Sequence, residues 1–408
     1  MFRIVKYLDF VSHWSIILIP FSIAIAPGMT FTFMGFLFSS FLLKKIIKGE
    51  RLFIKTPINL AFMFLMLVSI FSFKNTIDFR ASFQGVTKLI QNAFLFLICA
   101  EEIKDKKHIS RIVFSIIIGA SLASFDALWQ MKFGTDFIRG REIKISIGLR
   151  RATAAFPNAN VFGIYMSAIV PLIIGLSLFY YKGKKKIIMF FISALTALGL
   201  ATTVSRGSGL GLYTSVVFLS LVRKNRTVLI LCLAILLIFP FIVPKNIKLW
   251  AKEVNYNPIV FMCNADRISI YKNTFNMIKH YPLLGVGVNT FLINYQRYKL
   301  PEPDNAKTAD AVYAHNNFLQ IAGDIGLLGL AVFFWLLFEL FKKNMQIYNN
   351  LKDNYLKIIS LSLVACFVSF LVNGLTETSL YYPRVAMIFW FLIGLSLSLV
   401  KFVNADSS

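Results

Sequence analysis

The sequence predicts an all-α integral membrane protein with about twelve transmembrane helices, and three observations carry that prediction. Hydrophobic residues make up 57% of the 408 positions and charged residues only 15%, well short of the charge content of a soluble domain. Apolar runs recur twelve times along the chain, each close to the roughly 20 residues that cross a hydrocarbon core. Lysine and arginine gather in the connectors between those runs. The net charge of +24 would point to nucleic acid in a soluble chain, but here the positive-inside rule accounts for much of it and no nucleic-acid partner is expected.

Taken in order, the runs lie near 8–26, 28–43, 57–73, 83–100, 111–131, 160–180, 187–204, 207–222, 227–243, 314–341, 355–373 and 384–402. The first is preceded by Arg3 and Lys6 and ends Ala24-Ile25-Ala26, as a signal peptide would. Asp9 and His13 interrupt it and a second run follows at once, so an uncleaved first helix is expected. Residues 187–222 read as one helix would be about 54 Å long, too long for a core of about 30 Å. The chain must therefore break at Ser205-Arg206-Gly207. Twelve crossings place both termini on one side. The connectors KKIIKGERLFIK, EEIKDKKHISR, YKGKKK, RKNR and the lysines after Phe341 share a face, which their charge assigns to the cytoplasm.

That division puts 23 of the 43 Lys and Arg inside and 20 outside, of which six fall in 132–159 and nine in 244–313. Long loops are exempt from the orientation rule, so the outer excess needs another cause. A basic vestibule for an anionic ligand is one, and contact with lipid headgroups is the other. Three regions follow: helices one to nine over 1–243, a large outer loop over 244–313, and helices ten to twelve with a cytoplasmic tail over 314–408. Within the loop, Asp266 reads as an N-cap, and Ile268, Tyr271, Phe275 and Ile278 recur at helical spacing before Pro282. This predicts an amphipathic helix lying over the outer membrane face. Cys99, Cys232 and Cys366 sit in apolar runs and Cys263 in the loop, with neither a disulfide framework nor a metal-binding CxxC pattern.

Three residues from separate segments are candidates for chemistry. His315 heads the run that continues to Phe341; a histidine can pass a proton either way near neutral pH, though it equally fits an interfacial helix cap with Asn316 or Asn317. Arg206 sits at the expected helix break beside glycines that allow close backbone approach, with snorkelling to headgroups as the competing account. Arg267 falls in the first turn of the predicted loop helix, where a helix N-terminus and a guanidinium together favour an anion; a surface pair with Asp266 is the simpler alternative. The topology sends all three to the outer face. Two fixed cations and a titratable base there suit a reaction in which an anionic group leaves a lipid while a hydroxyl is deprotonated.

Lesser candidates surround these. Asn158 and Asn160 could hydrogen-bond a sugar or diphosphate, while Pro157-Asn158 also makes an ordinary turn. Glu377 could orient His315 or an acceptor sugar, and Tyr271 and Asn316 complete the set placed around a substrate. Arg150 and Arg151 read as topology anchors. Asp324, about 900° of helical rotation beyond His315, falls on the opposite face and reads as packing or an interhelical hydrogen bond. Glu302 and Asp304 are the closest outer carboxylates and read as a solvated turn, so no metal site is expected. Gly285-Val-Gly287 lacks the third glycine of a dinucleotide site.

The chain resembles the O-antigen ligase and polymerase superfamily over roughly 150–330. The matching pieces are Phe156-Pro-Asn-Ala-Asn160, Ser205-Arg-Gly207, Arg267 with Tyr281-Pro-Leu-Leu-Gly-Val-Gly287 and Phe291, and Ala314-His-Asn316 with Gly326-Leu-Leu-Gly329. The resemblance implies a metal-independent, cofactor-free glycosyltransferase of the C-type membrane fold in a bacterial inner membrane, with its site facing the periplasm. It implies an undecaprenyl-diphosphate-linked glycan as donor and, in the ligases, a hydroxyl of the lipid A core as acceptor. Carried over by motif, Arg206 and Arg267 would bind the diphosphate and His315 would activate or orient the acceptor, with inversion at the anomeric carbon. The near alternative is a polymerase that extends a lipid-linked glycan. A solute transporter is the alternative of a different class, and few ionisable residues lie deep enough for one. Oligomeric state is open, a monomer included.

Overall fold

Each of the twelve apolar runs folds as a helix in the computed structural model, which describes residues 2–52, 55–146, 148–242, 245–253, 255–301 and 313–405. In chain order they are α1 (Phe2–Ile25), α2 (Pro27–Lys48), α3 (Asn59–Phe71), α4 (Phe79–Glu102), α5 (Lys106–Phe133), α6 (Ala159–Phe179), α7 (Gly183–Ala201), α8 (Arg206–Val222) and α9 (Arg226–Ile242). After them come α10 (Lys245–Glu253), α11 (Pro258–His280), α12 (Phe291–Tyr295), α13 (Asn317–Asn350), α14 (Asn354–Asn373) and α15 (Pro383–Ser398). Length and composition mark a subset of these helices as able to cross a membrane. Among the described residues eight helices are long and apolar enough to do so, namely α1, α2, α4, α5, α6, α13, α14 and α15. The helices at 59–75, 206–222 and 226–238 are apolar but shorter, and α7 opens on three lysines.

One departure from the all-helical expectation is an antiparallel hairpin between α5 and α6, β1 (Lys144–Ser146) with β2 (Leu149–Arg151), in register Lys144 to Arg151. It ends the loop in which six basic residues gather.

The core runs through α6, α14 and α15, which are buried along most of their length. Small residues let these helices approach closely, as association within lipid requires. A Cβ on Gly211 of α8 would lie 2.6 Å from the Ser369 carbonyl oxygen of α14, and one on Gly394 of α15 would lie 2.7 Å from the Phe96 carbonyl oxygen of α4.

The two ends of the bundle differ in chemistry. At one end, Lys44 of α2 pairs with Asp9 and Glu102, Lys45 with Glu50 and Glu101, and Lys106 with Asp353. Lys401 donates to the Glu101 and Ile103 carbonyl oxygens at 2.6 and 2.8 Å. At the opposite end, Arg384 donates to the carbonyls of Ile23 and Ala155 and stacks on Phe156 at 3.8 Å. Asn75 donates to the Gly285 carbonyl oxygen at 2.8 Å. The connectors that sequence charge grouped together therefore meet at one end, and the candidate residues lie at the other.

Candidate active site

At that second end a single carboxylate collects the candidates. Glu377 lies in the turn between α14 and α15, and its side chain is only 3% exposed. Arg267 of α11 donates to its Oε1, Asn160 of α6 donates to the same oxygen at 2.7 Å, and His315 places Nδ1 3.2 Å from Oε2. Burial alone would push this carboxyl up. The His315 hydrogen bond and the Arg267 charge outweigh burial and hold it below the ordinary glutamate range. A carboxylate only accepts, so Nδ1 of His315 carries the shared proton and Nε2 presents its lone pair.

His315 is aimed by local backbone. Its φ of 48° is left-handed, uncommon for a residue other than glycine. It precedes α13, whose N-cap is Asn316: the Oδ1 of Asn316 accepts from the Phe318 and Leu319 amides at 2.9 and 3.0 Å. The Nδ2 of Asn316 donates to the Leu375 carbonyl oxygen at 2.9 Å, and its amide donates to Thr378 Oγ1 at 3.1 Å. Asn317 donates to Ser379 Oγ at 2.6 Å. The start of α13 is thus stitched to the turn that holds Glu377. Tyr271 adds another stitch, donating to the His315 carbonyl oxygen at 3.0 Å. Burial raises its pKa, so the phenol stays a donor.

Arg206 opens α8 where the chain breaks after α7, with Val204 at φ 50°. Its guanidinium donates to the Phe261 carbonyl of α11 and feels the charges of Arg267, Arg151 and Glu377. Gly207 fixes the approach: a Cβ there would lie 2.1 Å from Thr376 Oγ1, beside Glu377. Asn373 donates to Ser208 Oγ at 2.7 Å.

The sequence reading missed Arg151, taken there as an anchor. From β2 it donates through Nε to the Thr203 carbonyl oxygen at 2.7 Å and through Nη2 to Asn160 Oδ1. Burial lowers its pKa while Glu377 works the other way. Arg150, by contrast, reaches the Met131 carbonyl oxygen at 3.4 Å from an exposed position. No local pattern separates the two arginines; the hairpin decides which one turns inward. Arg151, Arg206 and Arg267 against Glu377 leave these four residues formally positive by two.

Four details of the sequence reading are corrected. Asp266 is not an N-cap, because α11 begins eight residues earlier at Pro258, a favoured first helical residue. Arg267 consequently sits mid-helix, and no helix N-terminus assists it. The buried face of α11 is Ile270, Asn273, Thr274, Met277 and Ile278, whereas Phe275 of the expected stripe is 55% exposed. That face packs on α13 and the 286–298 segment. Finally, His315 precedes α13, so helical rotation does not relate it to Asp324. Buried Asp324 accepts from Tyr381 at 2.6 Å, from Gln320 at 3.2 Å and from the Phe291 amide at 3.0 Å, the interhelical bonding expected of it.

Asn158 caps α6 through the Val161 amide at 2.9 Å, which uses its side-chain oxygen within the fold. Glu302 and Asp304 lie outside the described residues. No group of three His, Cys, Asp or Glu side chains gathers among the described residues.

Residues 191–334 match the family model described as O-antigen ligase. That segment contains Arg206, Arg267 and His315. The resemblance to the O-antigen ligase superfamily stands. The chain is 27% identical over 249 residues to a Rickettsia felis protein named "Putative polysaccharide ligase", covering 54% of this chain and 55% of the relative. A Rickettsia conorii protein of the same description is 27% identical over 219 residues, 49% of this chain and 48% of the relative. The chain spans about half the length of the curated relatives it matches.

Proposed function

We propose that this chain is a metal-independent, inverting glycosyltransferase of the O-antigen ligase type. In this reading it moves a glycan from undecaprenyl diphosphate to a hydroxyl of the lipid A core at the periplasmic face of a bacterial inner membrane. The observation that carries the reading is the Glu377 cluster, in which one buried carboxylate binds both a histidine and an arginine inside a ring of further guanidiniums. The family match over 191–334 supports the same reading.

The chemistry runs as follows. The acceptor hydroxyl gives its proton to Nε2 of His315, and its oxygen forms the new bond at the anomeric carbon. The bond to the diphosphate breaks from the opposite side, and its electron pair stays on the departing phosphate oxygen. Arg206 and Arg267 neutralise that developing charge, with Arg151 adding to the positive field. Preorganised donors of this kind are worth about 3–4 kcal/mol each. Glu377 holds the histidine tautomer and stabilises the imidazolium that forms, in the manner of the carboxylate in a nucleophile–histidine–acid relay.

Full-length protein reconstituted with synthetic lipid-linked donor and lipid A core acceptor tests this. Transfer to the core is expected, and Arg206→Ala, Arg267→Ala and His315→Ala should each cut it by about a hundredfold or more while the protein still inserts and folds. Wild-type rates from any two of the three would remove the mechanism. Extension of the lipid-linked glycan in place of transfer to the core would reassign the chain as a polymerase.

A further inference from the structure

A second feature at the same end of the bundle is not used by this chemistry. Between α3, α4, α13 and α15 lies a cavity of about 130 Å³, walled by Leu65, Ile321, Ile325, Phe333, Met387 and Trp390. Three polar residues of α4, Lys88, Gln91 and Asn92, also line it, the first two with exposed side chains. With Gln84 they form a polar stripe at helical spacing on a helix otherwise apolar enough to cross a membrane. Such groups are expensive against lipid unless something satisfies them.

The protein does little to satisfy them. Lys88 donates to the neutral amide oxygen of Asn289 at 3.3 Å, and among the described residues it has no carboxylate partner. Gln91 and Asn92 make no side-chain hydrogen bond among the described residues. Lys88 starts roughly 14 Å below the outer end of α4, at 1.5 Å per residue, and its stem carries the ammonium back toward the 288–289 turn. Gly85 holds that turn against α4, since a Cβ there would lie 2.8 Å from the Cβ of Asn289.

We propose that this slot binds a phosphate-bearing lipid, with a stretch of one hydrocarbon chain in the cavity and the phosphate on Lys88, Gln91 and Asn92. A cavity of this size takes a benzene-sized group, so it holds part of one chain and the remainder lies along the protein surface. The ammonium and the two amide NH2 groups can all donate to an anion, which matches phosphate oxygens. An apolar wall beside an exposed ammonium matches an amphiphile and not a free ion. The slot shares no lining residue with the Glu377 cluster, so it does not depend on the role proposed there, although Tyr381 of the slot adjoins Tyr382, which is within electrostatic reach of Glu377.

Trp390, buried in the wall, supplies the test. Full-length protein in neutral detergent is titrated with phosphatidylglycerol bearing brominated chains, and Trp390 emission is followed as the difference between wild type and Trp390→Phe. Saturable quenching is expected. Lys88→Gln, at an exposed side chain, should raise the half-saturating lipid concentration about tenfold, one charge-assisted contact. Ile325→Phe should fill the cavity and remove the quenching. Equal quenching by brominated diacylglycerol, which lacks phosphate, or an unshifted Lys88→Gln titration would overturn the proposal. Recovery of emission by stoichiometric polyprenyl phosphate would identify a carrier lipid as the occupant. Recovery only by excess phosphatidylglycerol would identify bulk anionic lipid, and either supports the site.

Discussion

Glu377 is the residue on which the site turns, and its ionisation sets a pH window. Its folded pKa lies below the ordinary unfolded glutamate value, because the His315 hydrogen bond and the Arg267 charge outweigh burial. A depressed carboxyl contributes stability that is fully present above the unfolded pKa and is lost as pH falls through the folded one. The unfolding midpoint of wild type should therefore exceed that of Glu377→Gln at neutral pH and converge with it only as pH falls through the depressed folded pKa. Parallel profiles across that range would mean that the carboxylate is not charged in the folded protein. Removing the carboxyl altogether should be worse, because Glu377→Ala leaves half-buried Arg267 without its carboxylate, a loss approaching the roughly 3–5 kcal/mol of a broken buried pair. Arg151 acts through Asn160 and adds field without direct contact to Glu377. Its replacement by alanine should lower glycan transfer by about tenfold, less than loss of Arg267, and the smaller effect is itself the check on its position. Glu377 was legible in the sequence as a partner for His315, because both fall at the outer ends of apolar runs. Arg151 was not, since adjacent arginines in a short strand differ only in which face the hairpin presents.

At the scale of elements, hydropathy located every apolar helix, because burial in lipid demands long apolar runs whatever the packing. It could not find the surface of α11, where protein and not lipid covers the helix. Asn273 and Thr274 are buried there by hydrogen bonds, Asn273 to the Tyr295 hydroxyl at 2.9 Å and Thr274 to the Ile270 carbonyl oxygen at 2.7 Å. Polar residues on the inner face and an exposed Phe275 mislead any count of apolar spacing. Phe275→Ser should accordingly change stability by about 0.5 kcal/mol or less, while Met277→Ala, fully buried against α13, should cost about 2–4 kcal/mol. The kink in α13 is similarly silent in the sequence. Gly326 sits at φ 75° within the helix, and a Cβ there would lie 2.1 Å from the Leu283 carbonyl oxygen. Both the angle and the contact exclude a side chain. Gly326→Ala should lower the unfolding midpoint and loosen the 283–291 turn that Asp324 holds, which amide exchange at Phe291 would report.

For the molecule as a whole, the separation of its two ends is what makes a vectorial reading possible. One end is closed by paired Lys and Glu or Asp residues, and the other carries the guanidiniums, His315 and the lipid slot. Net charge alone does not distinguish them, since basic residues are numerous at both. The difference lies in how the charges are arranged: Lys44 and Lys45 each have two carboxylate partners, whereas Arg267 pairs with Glu377 and Arg151 and Arg206 lie only within its electrostatic reach. A positive field attracts anionic ligands from its own side of the membrane, so the sidedness of that end decides which substrates can reach it. The positive-inside argument from the sequence, and the proposed function with it, expect that end to face the periplasm. Single cysteines introduced into a background with Cys99, Cys232, Cys263 and Cys366 replaced test this directly. A cysteine at Lys144 in the hairpin should react with a membrane-impermeant maleimide in intact cells, and one at Lys184, at the start of α7, should react only after permeabilisation. The reverse pattern would leave the cluster facing the cytoplasm, where a donor presented in the periplasm could not meet it, and the transferase reading would fail even with every distance in the site unchanged.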